Sequence, residues 1–239
     1  MNSIVSDAIT QFDVFNGISP STRAQLEDCA RTEHYDAGEI LFSDQDQLKS
    51  LYVVLRGQLS LYELSRQGAK KIIFLCTRGD LMNENVLHDA KAGVGCEAMT
   101  DAMVMKIPRD EIYRLCLRDE TLAKAIFDSM ARKLRYLYRQ LRNCTAGEPA
   151  DRRLAAKLYF LARECGAENA DGTIDIRMKL NGTILAEMIG ASRETVSRQM
   201  SKLIEDGCVI RHSGHIRVHG LKALQSYYYF GSSQEKGIL

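Results

Sequence analysis

A chain of 239 residues has room for two modest domains or one large one. Apolar residues make up 45% and charged residues 26%, an ordinary globular composition that excludes global disorder, and no apolar run approaches the roughly 18 residues of a membrane span. Net charge is +1, divided as 19 Lys+Arg against 20 Asp+Glu in residues 1–145 and 13 against 11 in residues 146–239, an excess too small to indicate nucleic acid by itself.

The N-terminus, MNSIVSDAITQFDVF, lacks the basic start and apolar stretch of a secretory leader, so the expected location is the cytoplasm. Cys29, Cys76, Cys96, Cys116, Cys144, Cys165 and Cys208 agree with that. They are scattered, odd in number and contain no CxxC pair, which reads as reduced thiols rather than disulfides, zinc ligands or an iron–sulfur site.

Residues 3–32 read as short helices. From about 35 to 107 the pattern changes to short strands: LYVVLRG (51–57), LSLYEL (59–64) and KIIFLC (71–76) are rich in β-branched and aromatic residues, with glycines between them. Regular short strands with glycine punctuation predict a barrel or jelly-roll-like β domain. Pro108 ends that pattern. Residues 119–144 hold no Gly or Pro, and Leu122, Ile126, Met130, Leu134, Leu137 and Leu141 form one stripe on a helix about 39 Å long. Arg132, Lys133, Arg135, Arg139 and Arg142 lie off the stripe. Length and spacing fit a coiled-coil-like dimer seam (Ile126, Met130, Leu134, Leu137, Leu141) and an ordinary core helix equally well.

CTAGEPAD (144–151) contains Gly147 and Pro149 and marks a domain boundary. A second helix over 151–165 places Leu154, Leu158 and Leu161 on one face, and ENADGTIDIRM (168–178) supplies a turn and a short strand. Residues 180–207 then read LNGTILAEMIGASRETVSRQMSKLIEDG. Asn181 is a helix cap, Gly190 permits a tight turn, and Ser192 caps a second helix. Val196, Met200 and Leu203 fall on one arc of it, while Arg193, Glu194, Ser197 and Arg198 fall on another. Arginine can donate twice to guanine, glutamate can accept from cytosine, and serine suits either edge. CVIRH (208–212), a turn at Ser213–Gly214 and HIRVH (215–219) complete a hairpin wing, and Lys202, Arg211 and His212 are candidate phosphate contacts.

The run GASRETVSRQMSKLIEDG with the wing CVIRHSGHIRVHG resembles the DNA-binding signature of the Crp–Fnr superfamily. YDAGEILF, LYVVLRGQLSLY and KIIFLCTRGDL resemble its cyclic-nucleotide-binding-type β-roll, and MARKLRYLYRQL resembles its dimerisation helix. The likeness runs over about residues 10 to 222. It implies that Arg193, Glu194, Ser197 and Arg198, with Ser192 and Lys202 beside them, meet double-stranded DNA at TTGA or TGTGA half-sites. It also implies RNA polymerase as a partner.

The effector region departs from the cyclic-AMP branch. Glu84 keeps the ribose-binding position, but Ala92 and Gly93 stand where an Arg–Ser pair would grip the phosphate, and Leu137 stands at the adenine contact. Cyclic AMP is therefore not the expected effector. The N-terminus holds only Cys29, too few for the iron–sulfur branch. Haem bound through His88 near Met82, redox chemistry at Cys76, Cys96 or Cys116, or another ligand at Glu84 stay open, each beside its bland alternative of a solvated histidine, small buried thiols or a solvent-facing carboxylate. His212, His215 and His219 suggest zinc no better than they suggest wing residues near phosphates. No phosphate loop, nucleophile elbow or HExxH motif supports an enzyme, and no metal site or catalytic residue is assigned.

The expected architecture is α+β: a β-roll sensing domain (1–118), a dimerisation helix (119–145), a winged helix-turn-helix (146–226) and a C-terminal tail (227–239). The expected function is transcription regulation by a homodimer on an inverted repeat, switched by a small-molecule effector, haem or gas, or a redox signal. A cyclic-nucleotide-responsive regulator, and in another class a nucleotide-gated enzyme or an interaction module, are the alternatives.

Overall fold

Helix α1 (Ser3–Gln11) turns Val5, Ala8 and Ile9 inward, and a single 3₁₀ turn (Asp13–Phe15) sends Phe15 the same way. Helix α2 (Pro20–Cys29) begins with proline at its first position, where a missing amide costs nothing, and the Ser19 hydroxyl accepts the Thr22 amide at 3.2 Å. The computed structural model describes residues 3–143, 148–212 and 215–231. It divides into two units, residues 1–137 and 138–239.

In the first unit, eight strands follow: β1 (Arg31–Tyr35), β2 (Ile40–Phe42), β3 (Ser50–Arg56), β4 (Leu59–Leu64), β5 (Lys70–Cys76), β6 (Leu81–Met82), β7 (Gly95–Ala98) and β8 (Ala102–Pro108). They pair antiparallel in two four-stranded sheets, ordered β1-β8-β3-β6 and β2-β7-β4-β5. Leu51, Val53, Leu59, Leu61, Cys96, Val104 and Met105, from both sheets, share one core, as a β-roll requires. Gly57, between β3 and β4, sits at φ +91°, and a Cβ there would lie 2.4 Å from the Asp101 carbonyl oxygen. Only glycine fits that turn.

Helix α3 (Arg109–Cys116) leads to the long helix α4 (Glu120–Asn143). Asp119 caps α4 through Oδ1, which accepts the amides of Thr121 and Leu122 at 3.1 Å each. Its Oδ2 accepts the Ser19 amide at 2.8 Å, which ties the starts of α2 and α4 together. The stripe predicted on α4 divides. Leu122 and Ile126 are buried in the β-roll core, so Ile126 is removed from the expected seam. Phe127 (68% exposed), Met130, Leu134 and Leu141 (71%) face outward, and Leu137 is half-buried. The outward set, with Leu137, is spaced three, four, three and four, a heptad pattern that starts at a residue missing from the sequence-based stripe.

The second unit contains α5 (Ala150–Cys165), β9 (Gly166–Glu168), β10 (Ile174–Ile176), α6 (Gly182–Ile189), α7 (Arg193–Glu205), β11 (Val209–His212), β12 (His215–Val218) and α8 (Leu221–Phe230). Its strands form one sheet ordered β11-β12-β10-β9. Leu154, Leu158 and Leu161 are buried on α5, as the spacing predicts. Helix α8 continues past residue 226, where a tail was expected, because Leu224 and Tyr227 are buried and the Tyr227 hydroxyl meets Asp151 at 3.3 Å. Cys144 and Gly147, the Ser213–Gly214 turn, residues 232–239 and the side chains of Arg142 and His212 lie outside the described residues. Among the described residues no helix is long and apolar enough to cross a membrane.

Candidate nucleic-acid interface and sensing site

Two capped helices and one left-handed glycine build the surface that would meet DNA. The Asn181 side chain accepts the Ile184 amide at 2.9 Å and starts α6. Gly190, at φ +63° and ψ +52°, ends it; the Ala191 amide returns to the Ala186 carbonyl at 3.1 Å. Two residues later the Ser192 hydroxyl accepts the Thr195 amide at 3.1 Å and starts α7. The short connection leaves α6 and α7 packed against each other.

Val196, Met200 and Leu203 are buried beneath α7, as predicted from their arc. Ser192, Arg193, Glu194, Ser197, Arg198 and Lys202 are all exposed. Glu194, Ser197 and Arg198 project from one side in the N-terminal half of the helix by the helical period, and Lys202 follows on the same side in its last turn. Among the described residues, none of Arg193, Glu194, Arg198 and Lys202 is held in an ion pair. Donors and acceptors are thus presented together and unneutralised. The helix N-terminus adds a partial positive charge beside them.

The wing is present as β11 and β12, paired from Val209↔Val218 to His212↔His215. Val209, Ile216 and Val218 hold it to the unit's core, while Arg211 and His215 are exposed. Arg217 donates to Asp175 through Nε (2.6 Å) and a terminal nitrogen (2.9 Å), locking β12 to β10. Asp175 gave no signal in the sequence, because its partner lies 42 positions away. Among the described residues no group of three or more His, Cys, Asp or Glu side chains could hold a metal.

The sensing-side candidates are not brought together as a ligand site. Glu84 begins a 3₁₀ turn (Glu84–Leu87) and is buried, which overturns the solvent-facing alternative. Both of its oxygens are engaged: Oε2 by the Lys133 ammonium at 2.5 Å and Oε1 by the Ser129 hydroxyl at 2.6 Å. Burial alone would raise the Glu84 pKa, but the charge and bonds of Lys133 and Ser129 hold it below the usual glutamate range. Lys133 and Ser129 were not singled out in the sequence as its partners.

His88 is exposed whereas Met82 is fully buried in the core. The six described cysteines are not disulfide-bonded. Burial pushes the Cys96 thiol well up, and burial with the Asp119 charge pushes Cys116 to about 11, so both are held as thiols rather than reactive thiolates. The resemblance would place a cyclic nucleotide at Glu84, Ala92 and Gly93. The carboxylate that would take its ribose is already bonded twice, Ala92 is a buried methyl, and Gly93 has no side chain for a phosphate.

A β-roll, a long helix with an outward apolar stripe, and a winged helix-turn-helix with an exposed polar face on its second helix define a DNA-binding regulator. Residues 32–119 match the cyclic nucleotide-binding domain, and residues 152–227 match the Crp-like helix-turn-helix domain. The chain is 24% identical over 215 residues to the probable transcriptional regulator flp of Lacticaseibacillus casei, covering 90% of this chain and 94% of that one. It is 26% identical over 209 residues to the nitrogen fixation regulation protein FixK of Bradyrhizobium diazoefficiens, covering 87% and 86%. The fold is shared with FixK2 from Bradyrhizobium japonicum at a TM-score of 0.70 and 20% identity, over 82% of this chain and 96% of that one. The protein is a DNA-binding transcription regulator of the Crp–Fnr type, and not an enzyme.

Proposed function

We propose that the protein binds, as a homodimer, an inverted repeat whose half-sites contain TGA, in response to a signal other than cyclic AMP. The observation that carries this reading is the exposed, ion-pair-free set Glu194, Ser197 and Arg198 on the first turns of α7. Arg198 takes a guanine through two parallel donors, and Glu194 accepts from the cytosine of an adjacent pair. Arg193 sits beside them and permits TGTGA as well as TTGA. Lys202 and Arg211 contact phosphates and fix the register without reading sequence.

Pairing runs through the outward stripe of α4, Phe127, Met130, Leu134, Leu137 and Leu141. An isologous contact along it relates two recognition helices by a two-fold axis, which is the symmetry an inverted repeat needs. Half-sites centred about 10 base pairs apart put both helices on one face of the duplex. The protein then works in the cytoplasm and acts on RNA polymerase at the promoter. The engaged state of Glu84 speaks against a cyclic nucleotide as the signal, and the raised thiol pKa values of Cys96 and Cys116 speak against thiolate redox chemistry there.

Selection from random double-stranded DNA tests the reading. Recovered sequences should contain two inverted TGA-type half-sites about one helical turn apart. Recovery of unrelated or single half-sites would overturn it.

A further inference from the structure

Glu84 is one of few carboxylates enclosed in the sensing unit, at 4% exposure, and what encloses it is the chain's own long helix. Lys133 and Ser129, one turn apart on α4, supply the donors to both of its oxygens. The Lys133 ammonium also donates to the Leu81 carbonyl at 2.7 Å, on β6. It lies 6.0 Å over the Phe74 ring, which packs against Tyr136 of α4 at 4.9 Å. Carboxylate, carbonyl and ring thus all come from the β-roll, while ammonium, hydroxyl and the second ring come from α4. The carboxylate's charge is balanced and its acceptors are filled. A ligand could use Glu84 only by first displacing the lysine, which would leave a half-buried ammonium without its counter-charge.

We propose that the Glu84–Lys133 pair is a built-in latch: an intramolecular substitute for a bridging effector, which fastens the β-roll to α4 with nothing added. The outward face of α4 is then oriented by residues of this chain alone, and the switching signal acts by opening the pair rather than by forming a bridge. Along α4, Lys133 lies between Met130 and Leu134 of the outward stripe, so freeing it frees the segment of helix that carries the stripe. The inference rests on the stripe being the dimer seam and on α7 reading DNA.

The test uses the full-length protein and its selected DNA site, with no nucleotide present. Glu84→Gln keeps the shape of the side chain, and Lys133→Met keeps its stem. Each is expected to weaken both dimerisation in sedimentation and binding to the selected site by about tenfold, and the double variant E84Q/K133M should be no weaker than either single one. Addition of cyclic AMP should change neither property of the wild type. Where a single variant lowers the thermal melt, the charge-exchanged variant E84K/K133E carries the test and should recover more than half of the loss. Single variants within twofold of wild type in dimerisation and DNA binding, additive losses in the double variant, or wild-type binding that appears only on adding cyclic AMP would overturn the latch. Arg198→Ala separates the two readings: it should reduce preference for the selected site over random DNA while leaving sedimentation unchanged, so a failure of base reading is distinguishable from a failure of the latch.

Discussion

Arg198 and Lys202 sit one turn apart on the same exposed side of α7, yet their removal should fail in different ways. An arginine that reads guanine carries sequence information, so Arg198→Ala should cost about 1–3 kcal/mol on the selected site and spare most non-specific binding. A lysine that meets a phosphate releases a counterion, so Lys202→Ala should weaken all sequences alike and reduce the salt slope by about one. Titrations at several salt concentrations on selected and random duplexes distinguish them; identical behaviour of the two variants would count against both roles. At the start of α4, Asp119 also depends on charge. Burial raises its pKa, but the Ser19 and Leu122 amides and the Thr22 and Ser19 hydroxyls outweigh that and hold it at about 2, against an ordinary 3.8. A depressed carboxylate stabilises the fold above the unfolded pKa and loses that contribution as pH falls through the folded one, here between about 4 and 2. Asp119→Ala should therefore cost about 1–2 kcal/mol at neutral pH, with the gap to wild type closing over that window in denaturant melts.

Helix α4 buries its first turns and exposes its later ones, so the stripe of six residues divides. Its first turns pack Leu122 and Ile126 into the β-roll, and its later turns leave Met130, Leu134 and Leu141 outside. Substituting Ile126 by alanine should lower the stability of the sensing unit by about 2–5 kcal/mol with no direct effect on pairing between folded chains. Charged residues at Leu134 and Leu141 should do the opposite, leaving the melt near wild type while shifting the dimer toward monomer. Sedimentation beside a thermal melt reads both properties, and a Leu134 variant that stays fully dimeric would exclude the outward stripe as the seam. The wing follows the same logic on a smaller scale: β12 is held by its ladder to β10 and by the Arg217–Asp175 fork.

For the whole molecule, a chain of 26.9 kDa should sediment at twice that mass at micromolar concentration if the seam forms. A monomer that binds the selected site with full affinity would be incompatible with that arrangement. Calorimetry with cyclic AMP at physiological concentration should give no heat of binding, since displacing Lys133 from Glu84 offers the nucleotide no arginine in return.

Much of this was legible along the chain because the relevant physics is local. A helix cap needs only the next three residues, a left-handed turn needs only its glycine, and a 3.6-residue period is contained in its own element; hence Asn181, Gly190, Ser192 and the buried and exposed faces of α7 could be placed from sequence. The winged fold and the family likeness rest on the same short-range signals. What the sequence left undecided were choices between partners. Periodicity shows that a side of α4 is apolar but not what covers it: Ile126 goes into the β-roll core, while Phe127, outside the stripe of six, is exposed. Nor does any local pattern join Glu84 to Lys133, 49 residues apart, or Asp175 to Arg217. A charge on an isolated strand or helix reads as solvated until another element arrives to bury it. Only tertiary packing brings the opposite charge within bonding distance and removes the water between them.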